Sequence, residues 1–289
     1  MRTFLALSSL ILCCAFPLSA GAACHPLPGA DAVWAKSNLR WVFVGELHGS
    51  NETPEAFGDL VCDALLHGKQ VTVAMELPSS EQSDLQNILT AKNLPVAEAQ
   101  LLQQSFWRDG IDGRSSTAML RLLLRLRQLH GAYPNLKVLA FDDPYSGNNQ
   151  ARDVALAGAL LKSEKANPDN LILILTGNAH GMFAPVFGYD PAAMYIPAAQ
   201  RLSLEVTDRG GVSWSEIGDA CGPMKGGVGG KMLPRGIYLD PTLAPFGKVD
   251  GVLSLGVPLT PAEPAAPDAV PVPLCKSNYL REHAAPITP

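Results

Sequence analysis

The sequence has 289 residues, of which 47% are hydrophobic and 17% charged, and its formal net charge is −5. This composition is typical of one sizeable α/β domain or two small ones, and it excludes an intrinsically disordered chain. Because the net charge is negative and the basic residues cluster only at 121–127, we expect neither nucleic acid nor an anionic membrane as a partner.

The first 23 residues predict a secretory signal peptide. Arg2 precedes an apolar stretch over residues 5–16, and small residues follow it. The alternative, a membrane anchor, is disfavoured because this stretch is shorter than the ~18–20 residues that span a bilayer. Gly21 stands three positions before Cys24, where a lipoprotein signal has a branched aliphatic residue, so lipidation is disfavoured too. We expect a periplasmic or secreted protein with no transmembrane span after cleavage.

Four cysteines remain after removal of the signal peptide, namely Cys24, Cys62, Cys221 and Cys275. An even number in an oxidising compartment predicts two disulfides, and four cysteines allow three pairings. We favour Cys24–Cys62 and Cys221–Cys275. The alternative, a thiolate metal site, lacks the close Cys-x-x-Cys spacing that such sites use.

Residues 40–76 predict a βαβ unit. The apolar residues 41–44 suit a buried strand that breaks at Gly45, and a helix follows from about Thr53 to Gly68. Residues 70–76 form the next strand. A crossover of this kind implies two parallel strands with the helix on one face of the sheet.

The alternation of helices and strands continues along the chain. The predicted elements are a helical stretch over 80–104 broken at Pro95, a loop over 106–114, a helix from Ser115 or Ser116 to 129, a strand over 136–141, a helix over 149–165 and a strand over 171–175.

After Pro191 the pattern becomes antiparallel. Residues 201–207 and 212–217 predict a hairpin around a turn at 208–211, and residues 252–255 form a last short strand. The predicted fold class is therefore α/β, with a mostly parallel central sheet, helices on both faces and an antiparallel C-terminal extension.

We divide the chain into the signal peptide 1–23, one α/β domain over 24–256 and a C-terminal tail over 257–289. Six prolines between positions 258 and 273 make the tail extended. Its one evident anchor in the sequence is Cys275.

Polar side chains stand at the end of each of the four predicted parallel strands. They are Glu46 and His48, then Glu76, then Asp142 and Asp143, then Asn178 and His180. Parallel strands end at the same edge of a sheet, and ligands bind in that crevice. One such ending could be a helix cap, but four in succession predict a functional site.

These residue types suit water activation. A histidine near neutrality takes a proton from water, and a carboxylate beside it orients the ring and stabilises the imidazolium. The candidate catalytic residues are His48, Glu76 and His180, with Glu46, Asn178 and Arg114 in support.

Some of these residues have structural alternatives. Glu46 suits a helix cap equally well, Asp142 and Asp143 are typical turn residues, and Arg114 suits either an oxyanion contact or the surface.

The sequence was also compared with the patterns of other kinds of site, beginning with a metal site. Glu46, His48, Glu76 and His180 could hold a divalent metal, although the His-Glu-x-x-His spacing is absent. The sequence has no Gly-x-Ser-x-Gly elbow and no phosphate-binding Gly-Lys-Ser/Thr loop, so we predict neither a serine nucleophile nor a nucleotide site. The expected partner is a small-molecule or peptide substrate.

The short motifs resemble one superfamily. The segment Val-Gly-Glu-Leu-His-Gly at 44–49, Glu76 and the segment Gly-Asn-Ala-His-Gly at 177–181 are similar to elements of the erythromycin esterase/ChaN-like and TIKI/TraB superfamily. The likeness spans about residues 38–256 in element order and is specific only at these motifs. The resemblance implies a hydrolase in which His48 is the general base while Glu76 and His180 orient or polarise.

The same resemblance implies two other functions. TIKI-like members are regarded as metal-dependent peptidases, and ChaN-like members bind haem through a tyrosine. Tyr145, Tyr189 and Tyr195 are present here, but none falls in a matching motif. This chain is much shorter than the macrolide-hydrolysing members, so the resemblance implies hydrolysis more strongly than it implies a macrolide substrate.

Overall fold

The computed structural model describes residues 24–109, 113–143, 147–217, 220–225, 232–245 and 247–267. The predicted signal peptide 1–23 lies outside these residues. So does Cys275, and the Cys221–Cys275 disulfide therefore stays a prediction.

The described strands are β1 Trp41–Glu46, β2 Gln70–Pro78, β3 Lys137–Asp142, β4 Asn170–Gly177, β5 Arg201–Thr207, β6 Val212–Ile217, β7 Ala220–Lys225, β8 Gly236–Tyr238 and β9 Gly251–Ser254. Seven of them form one sheet in the order β3-β2-β4-β1-β5-β9-β8, and β6 pairs with β7 apart from it. Every pair in the large sheet is parallel except β8–β9, which confirms the predicted fold class.

The described helices are α1 Ala30–Trp34, α2 Glu52–Leu66, α3 Gln82–Thr90, α4 Leu94–Leu102, α5 Ser105–Asp109, α6 Thr117–Ala132 and α7 Asn149–Ala166. They cover both faces of the sheet because alternate strand residues point to opposite sides. In β1, Val42 and Val44 pack with α2 and α6 on one face, whereas Trp41 and Phe43 pack with α7 on the other.

The region between β2 and α6 differs from the prediction. The helical stretch is interrupted as predicted, but the break lies between Thr90 and Leu94. Pro95 itself lies in the first turn of α4, where a missing N–H is harmless, and Asn93 caps that helix. The predicted loop begins with the short helix α5, in which Trp107 is fully buried. Burial of this large side chain outweighs the loop-like composition of the segment.

The predicted hairpin of β5 and β6 is wrong. β5 is an interior strand, parallel to both β1 and β9. Its central residues, such as Leu204 and Glu205, are buried. Because β1 and β9 pair with its two edges, an antiparallel partner cannot join it. Two glycines with positive φ, Gly210 and Gly211, turn the chain away, and β6 pairs with β7 instead.

The disulfide Cys24–Cys62 is confirmed, with the two Cα atoms 5.8 Å apart. It ties the start of the described chain to α2. Beside it, the backbone N–H of His25 donates to Asp59 at 3.0 Å, so the N-terminal segment is fixed by both a covalent and a polar contact.

The described start of the predicted tail packs against the domain. Ser50 pairs with Pro261 and Ser116 with Pro264 in isolated bridges, and Ala262 is fully buried. Residues 257–267 therefore form a strap beside the loop that follows β1. Among the described residues, no helix has the length and apolarity that crossing a membrane requires.

Candidate active site

The polar strand ends meet at one edge of the sheet. β4 lies between β1 and β2, and all three are parallel, so their carboxyl ends are neighbours. Glu46 ends β1, Glu76 lies near the end of β2, and His180 follows β4 in a short 3-10 turn. The structure thus brings His48, Glu76 and His180 together.

Glu76 is the centre of the cluster. Its side chain is only 4% exposed. One carboxylate oxygen, Oε2, accepts from the hydroxyl of Thr176 and from the backbone N–H of Gly177, each at 2.7 Å. The other oxygen, Oε1, accepts from Arg114 at 3.0 Å and from Arg152 at 2.6 Å. Four donors on one buried carboxylate hold it ionised and fixed in place.

The two imidazoles flank this carboxylate. His48 Nε2 lies 3.6 Å from Glu76 Oε2, and His180 Nε2 lies 3.7 Å from Glu76 Oε1. The His48 ring is 15% exposed and the His180 ring 10%, so solvent reaches both. On its other side, His48 Nδ1 lies 3.0 Å from Glu46 Oε1.

Gly177 leaves room among these three side chains. A Cβ at this position would lie 3.2 Å from His48 Nε2, 3.6 Å from Glu76 Oε2 and 3.7 Å from His180 Cδ2. A side chain here would therefore fill the space that a water molecule or a reacting group needs. The glycine therefore keeps this space open.

Two arginines and an aspartate complete the charge network. Arg152 forms a bidentate pair with Asp142, with both distances 2.8 Å, and Arg114 reaches the same carboxylate at 3.0 Å. Asp142 is thus a buried member of the site and not a turn residue. Asn178 lies apart from the network, with its Oδ1 over Gly45.

Two residues of the site, Arg152 and Asp153, were not predicted from the sequence. Both lie in α7, and Asp153 contacts His180 at 2.8 Å. A signal was available for Arg152, because it stands at the end of the first turn of a helix that has no acidic residue there. A cation is unfavourable at that end of the helix dipole and needs anions nearby, which are Asp142 and Glu76.

The charges shift the pKa values of the site. Burial acts to lower the pKa of His48, but the charge of Glu76 and the hydrogen bonds to Glu46 and Glu76 outweigh it and raise that pKa to about 10. Burial acts to raise the pKa of Glu76, but attraction to His180 in its protonated form, to His48 and to Arg114 holds it well below its usual range. At neutral pH the site therefore contains a Glu76 anion and a His48 cation.

We expect Glu46→Gln to lower the pKa of His48 because one of its two carboxylate partners becomes neutral. Titration of the ring by NMR measures this shift, with Glu98→Gln on α4 as the control variant. In the folded protein the pKa is about 10, against 6.5 for an ordinary histidine. The contribution of protonated His48 to the free energy of unfolding is therefore complete below pH 6.5 and is lost as pH rises through 10. Equal pKa values in wild type and Glu46→Gln would contradict this account.

The same network is unfavourable for a divalent metal. Among the described residues, no group of three or more His, Cys, Asp or Glu side chains has metal-binding geometry. Both oxygens of Glu76 already accept from Arg114, Arg152, Thr176 and Gly177, and a dication would lie beside two guanidinium groups. Glu46, His48, Glu76 and His180 therefore do not fit a metal.

The two of these tyrosines that the structure describes, Tyr189 and Tyr195, are not arranged as haem ligands. Burial and the charge of Asp153 raise the pKa of Tyr189, which disfavours the phenolate that would bind iron. The hydroxyl of Tyr195 accepts from Gln150 at 2.8 Å. Tyr145 lies outside the described residues.

Comparisons with known proteins support the fold. No protein-family model matches the sequence, and no curated protein matches it either. Among solved structures, an erythromycin esterase mutant in its open conformation is similar with a TM-score of 0.53 and 11% identity, covering 66% of this chain and 77% of that one. A Bacillus cereus protein is similar with a TM-score of 0.52 and 12% identity, covering 67% of this chain and 73% of that one. The chain therefore has an erythromycin esterase-like α/β fold.

Proposed function

We propose that the protein is a hydrolase that activates water against an ester, lactone or amide. The observation that carries this proposal is the convergence of two solvent-reachable imidazoles on one ionised carboxylate, Glu76. The substrate is a small molecule or a peptide. The erythromycin esterase-like fold agrees with a hydrolytic site at this edge of the sheet.

Each part of the site has a role in this reaction. An imidazole takes a proton from water, and the Glu76 anion stabilises the imidazolium that forms. Arg114 and Arg152 are 19% and 23% exposed, so their guanidinium groups can reach a bound carbonyl oxygen. Fixed cations at that point stabilise the negative charge that develops in the transition state.

A substrate panel tests the proposal. Purified protein is incubated with activated esters, lactones and peptide amides, and acid release is compared among wild type, His48→Gln and His130→Gln. His130 is the matched control because it contacts the carbonyl of Leu136 far from the site. We expect one substrate class to be hydrolysed by wild type and His130→Gln, and His48→Gln to be slower by about 10²–10⁴-fold.

The same preparation separates the alternatives. Loss of activity on chelation with recovery on adding Zn²⁺ would favour a metallopeptidase. A Soret band on haemin titration without turnover of any panel member would favour a haem carrier. Either result, or equal rates for His48→Gln and wild type, would contradict the proposal.

We infer that the protein works in the periplasm or outside the cell. The Cys24–Cys62 disulfide supports this location because such bonds persist in oxidising compartments. The signal-peptide pattern of residues 1–23 agrees with it.

A further inference from the structure

Asp153 is a buried carboxylate that contacts the site from behind His180. The residue is fully buried on α7. Its Oδ1 accepts from the backbone N–H of Ala192 at 2.6 Å and lies 2.8 Å from His180 Nδ1. The helix and the Ala192 amide fix the carboxylate from two sides. Asp153 is therefore held in place independently of His180.

These contacts determine where the proton of His180 lies. A carboxylate accepts hydrogen bonds, so His180 Nδ1 carries a hydrogen and donates to Asp153. On the other side of the ring, Nε2 lies 3.3 Å from Arg152 Nη1. A guanidinium only donates, so Nε2 must accept and must have a lone pair. A ring that makes both contacts is thus neutral, with the lone pair of Nε2 toward Arg152 and with Nε2 3.7 Å from Glu76 Oε1.

His48 has the opposite surroundings. Both of its nitrogens face carboxylates, Nδ1 that of Glu46 and Nε2 that of Glu76. A ring between two anions is favoured as the imidazolium, which has no lone pair to offer. The surroundings thus favour a neutral, basic ring at His180 and a cationic ring at His48. Pairs of titratable groups in active sites commonly differ in protonation in this way.

We propose that His180 is the proton acceptor of this site and that Asp153 is its positioning residue, while His48 serves as a fixed cation. This inference rests on the proposed hydrolase function. It differs from the implication of the family resemblance, in which His48 is the base. The charged groups that face His180 are Asp153 and Arg152 from α7 and Glu76 from β2. The charge of Asp153 also acts to raise the pKa of Tyr189, which is a titratable residue near the same carboxylate.

Hydrolysis of an ester at this site then has two steps, attack by water and loss of the alcohol. Arg152 Nη1 first releases the lone pair of His180 Nε2 and turns to the carbonyl oxygen. The water oxygen then bonds to the carbonyl carbon while one water proton passes to His180 Nε2, and the carbonyl π electrons move to the oxygen. The His48 and Arg152 cations stabilise that oxyanion. When it collapses, the bond to the leaving oxygen breaks, and the imidazolium of His180 returns the proton to that oxygen. The products are one acid and one alcohol, and His180 is neutral again.

The tautomer of His180 is measured by long-range ¹H–¹⁵N correlation NMR of the whole mature protein at neutral pH. In wild type we expect His180 to be neutral and protonated at Nδ1, and His48 to be protonated at both nitrogens. In Asp153→Asn the amide can donate to Nδ1, so we expect the His180 proton to move to Nε2. A wild-type His180 ring that is doubly protonated or protonated only at Nε2 would overturn the proposal without any variant having to fold.

Kinetics with the best panel substrate give the second readout. We expect Asp153→Asn to lower kcat by about 10²–10⁴-fold with little change in KM, because orientation and tautomer are lost and binding is not. A kcat equal to that of wild type would overturn the role of Asp153. Failure of the wild-type protein to hydrolyse any substrate would contradict the proposed function. The NMR result tests the contact between Asp153 and His180 whether or not a substrate is found.

Discussion

Replacing Glu76 with Gln is expected to lower kcat/KM by about 10³-fold or more, because the anion that stabilises the imidazolium is lost. The same change leaves Arg114 and Arg152 with Asp142 as their remaining anionic partner in the network. Breaking a buried ion pair by removing one partner costs about 3–5 kcal/mol of unfolding free energy, and we expect the lower end here because the amide keeps the shape of the side chain. Steady-state kinetics and urea unfolding measure the two effects.

Glu81→Gln is the matched control for this variant. Glu81 is as buried as Glu76, at 4% exposure. Burial and the charge of Asp84 raise its pKa to about 7, so at neutral pH a large fraction of the side chain is already uncharged. A neutral amide should therefore cost little at Glu81. If the two variants lost stability and activity equally, the account of Glu76 as the charged centre of the site would be wrong.

Gly49→Ala is expected to destabilise the protein by ~4 kcal/mol or more, which is exceptional for one added methyl group. Gly49 has a φ of 87° and directly follows His48. Its carbonyl accepts from the N–H groups of Trp214 at 2.9 Å and Ala262 at 2.8 Å. A Cβ at this position would lie 1.6 Å from the carbonyl oxygen of Trp214. The loop must therefore move, and His48 with it, so activity should also fall.

Gly68→Ala separates backbone strain from this steric clash. Gly68 also has a positive φ, 73°, but no atom lies within 4 Å of the position of its Cβ. We expect this control to cost only the ~1–2 kcal/mol of the left-handed conformation and to keep full activity. Thermal and urea unfolding of both variants measure the difference. Equal losses in the two variants would mean that the contacts of the loop with Trp214 and Ala262 do not hold His48 in place.

Much of the sheet was predictable because buried parallel strands have a simple signature. The strands β1, β2, β3 and β4 are apolar, and polar residues stand at or just after the end of each strand. This pattern predicted that Glu46, Glu76, Asp142 and His180 lie at one edge of the sheet. The hairpin prediction failed because local alternation in β5 cannot show that two other strands, β1 and β9, already occupy both of its edges.

The arginine and aspartate behind the histidines were not predictable in the same way. Arg152 and Asp153 lie inside α7, where charged residues usually face solvent. Their roles depend on the packing of α7 against the sheet, which sets Arg152 against Glu76 and Asp153 against His180. Sequence spacing does not indicate that contact.

The buried start of the tail, at Ala262, could not be predicted for the same reason, because its partner Gly49 lies more than 200 residues earlier.

A single-turnover reaction tests the central claim most directly. Wild-type protein in excess is mixed with the best panel substrate at neutral pH, and both product and protein are followed by mass spectrometry. If water activated at His48, Glu76 and His180 attacks the substrate, one equivalent of acid forms and the protein mass stays unchanged at every time point. An acyl-protein adduct, or acid formation no faster than in buffer alone, would contradict this account.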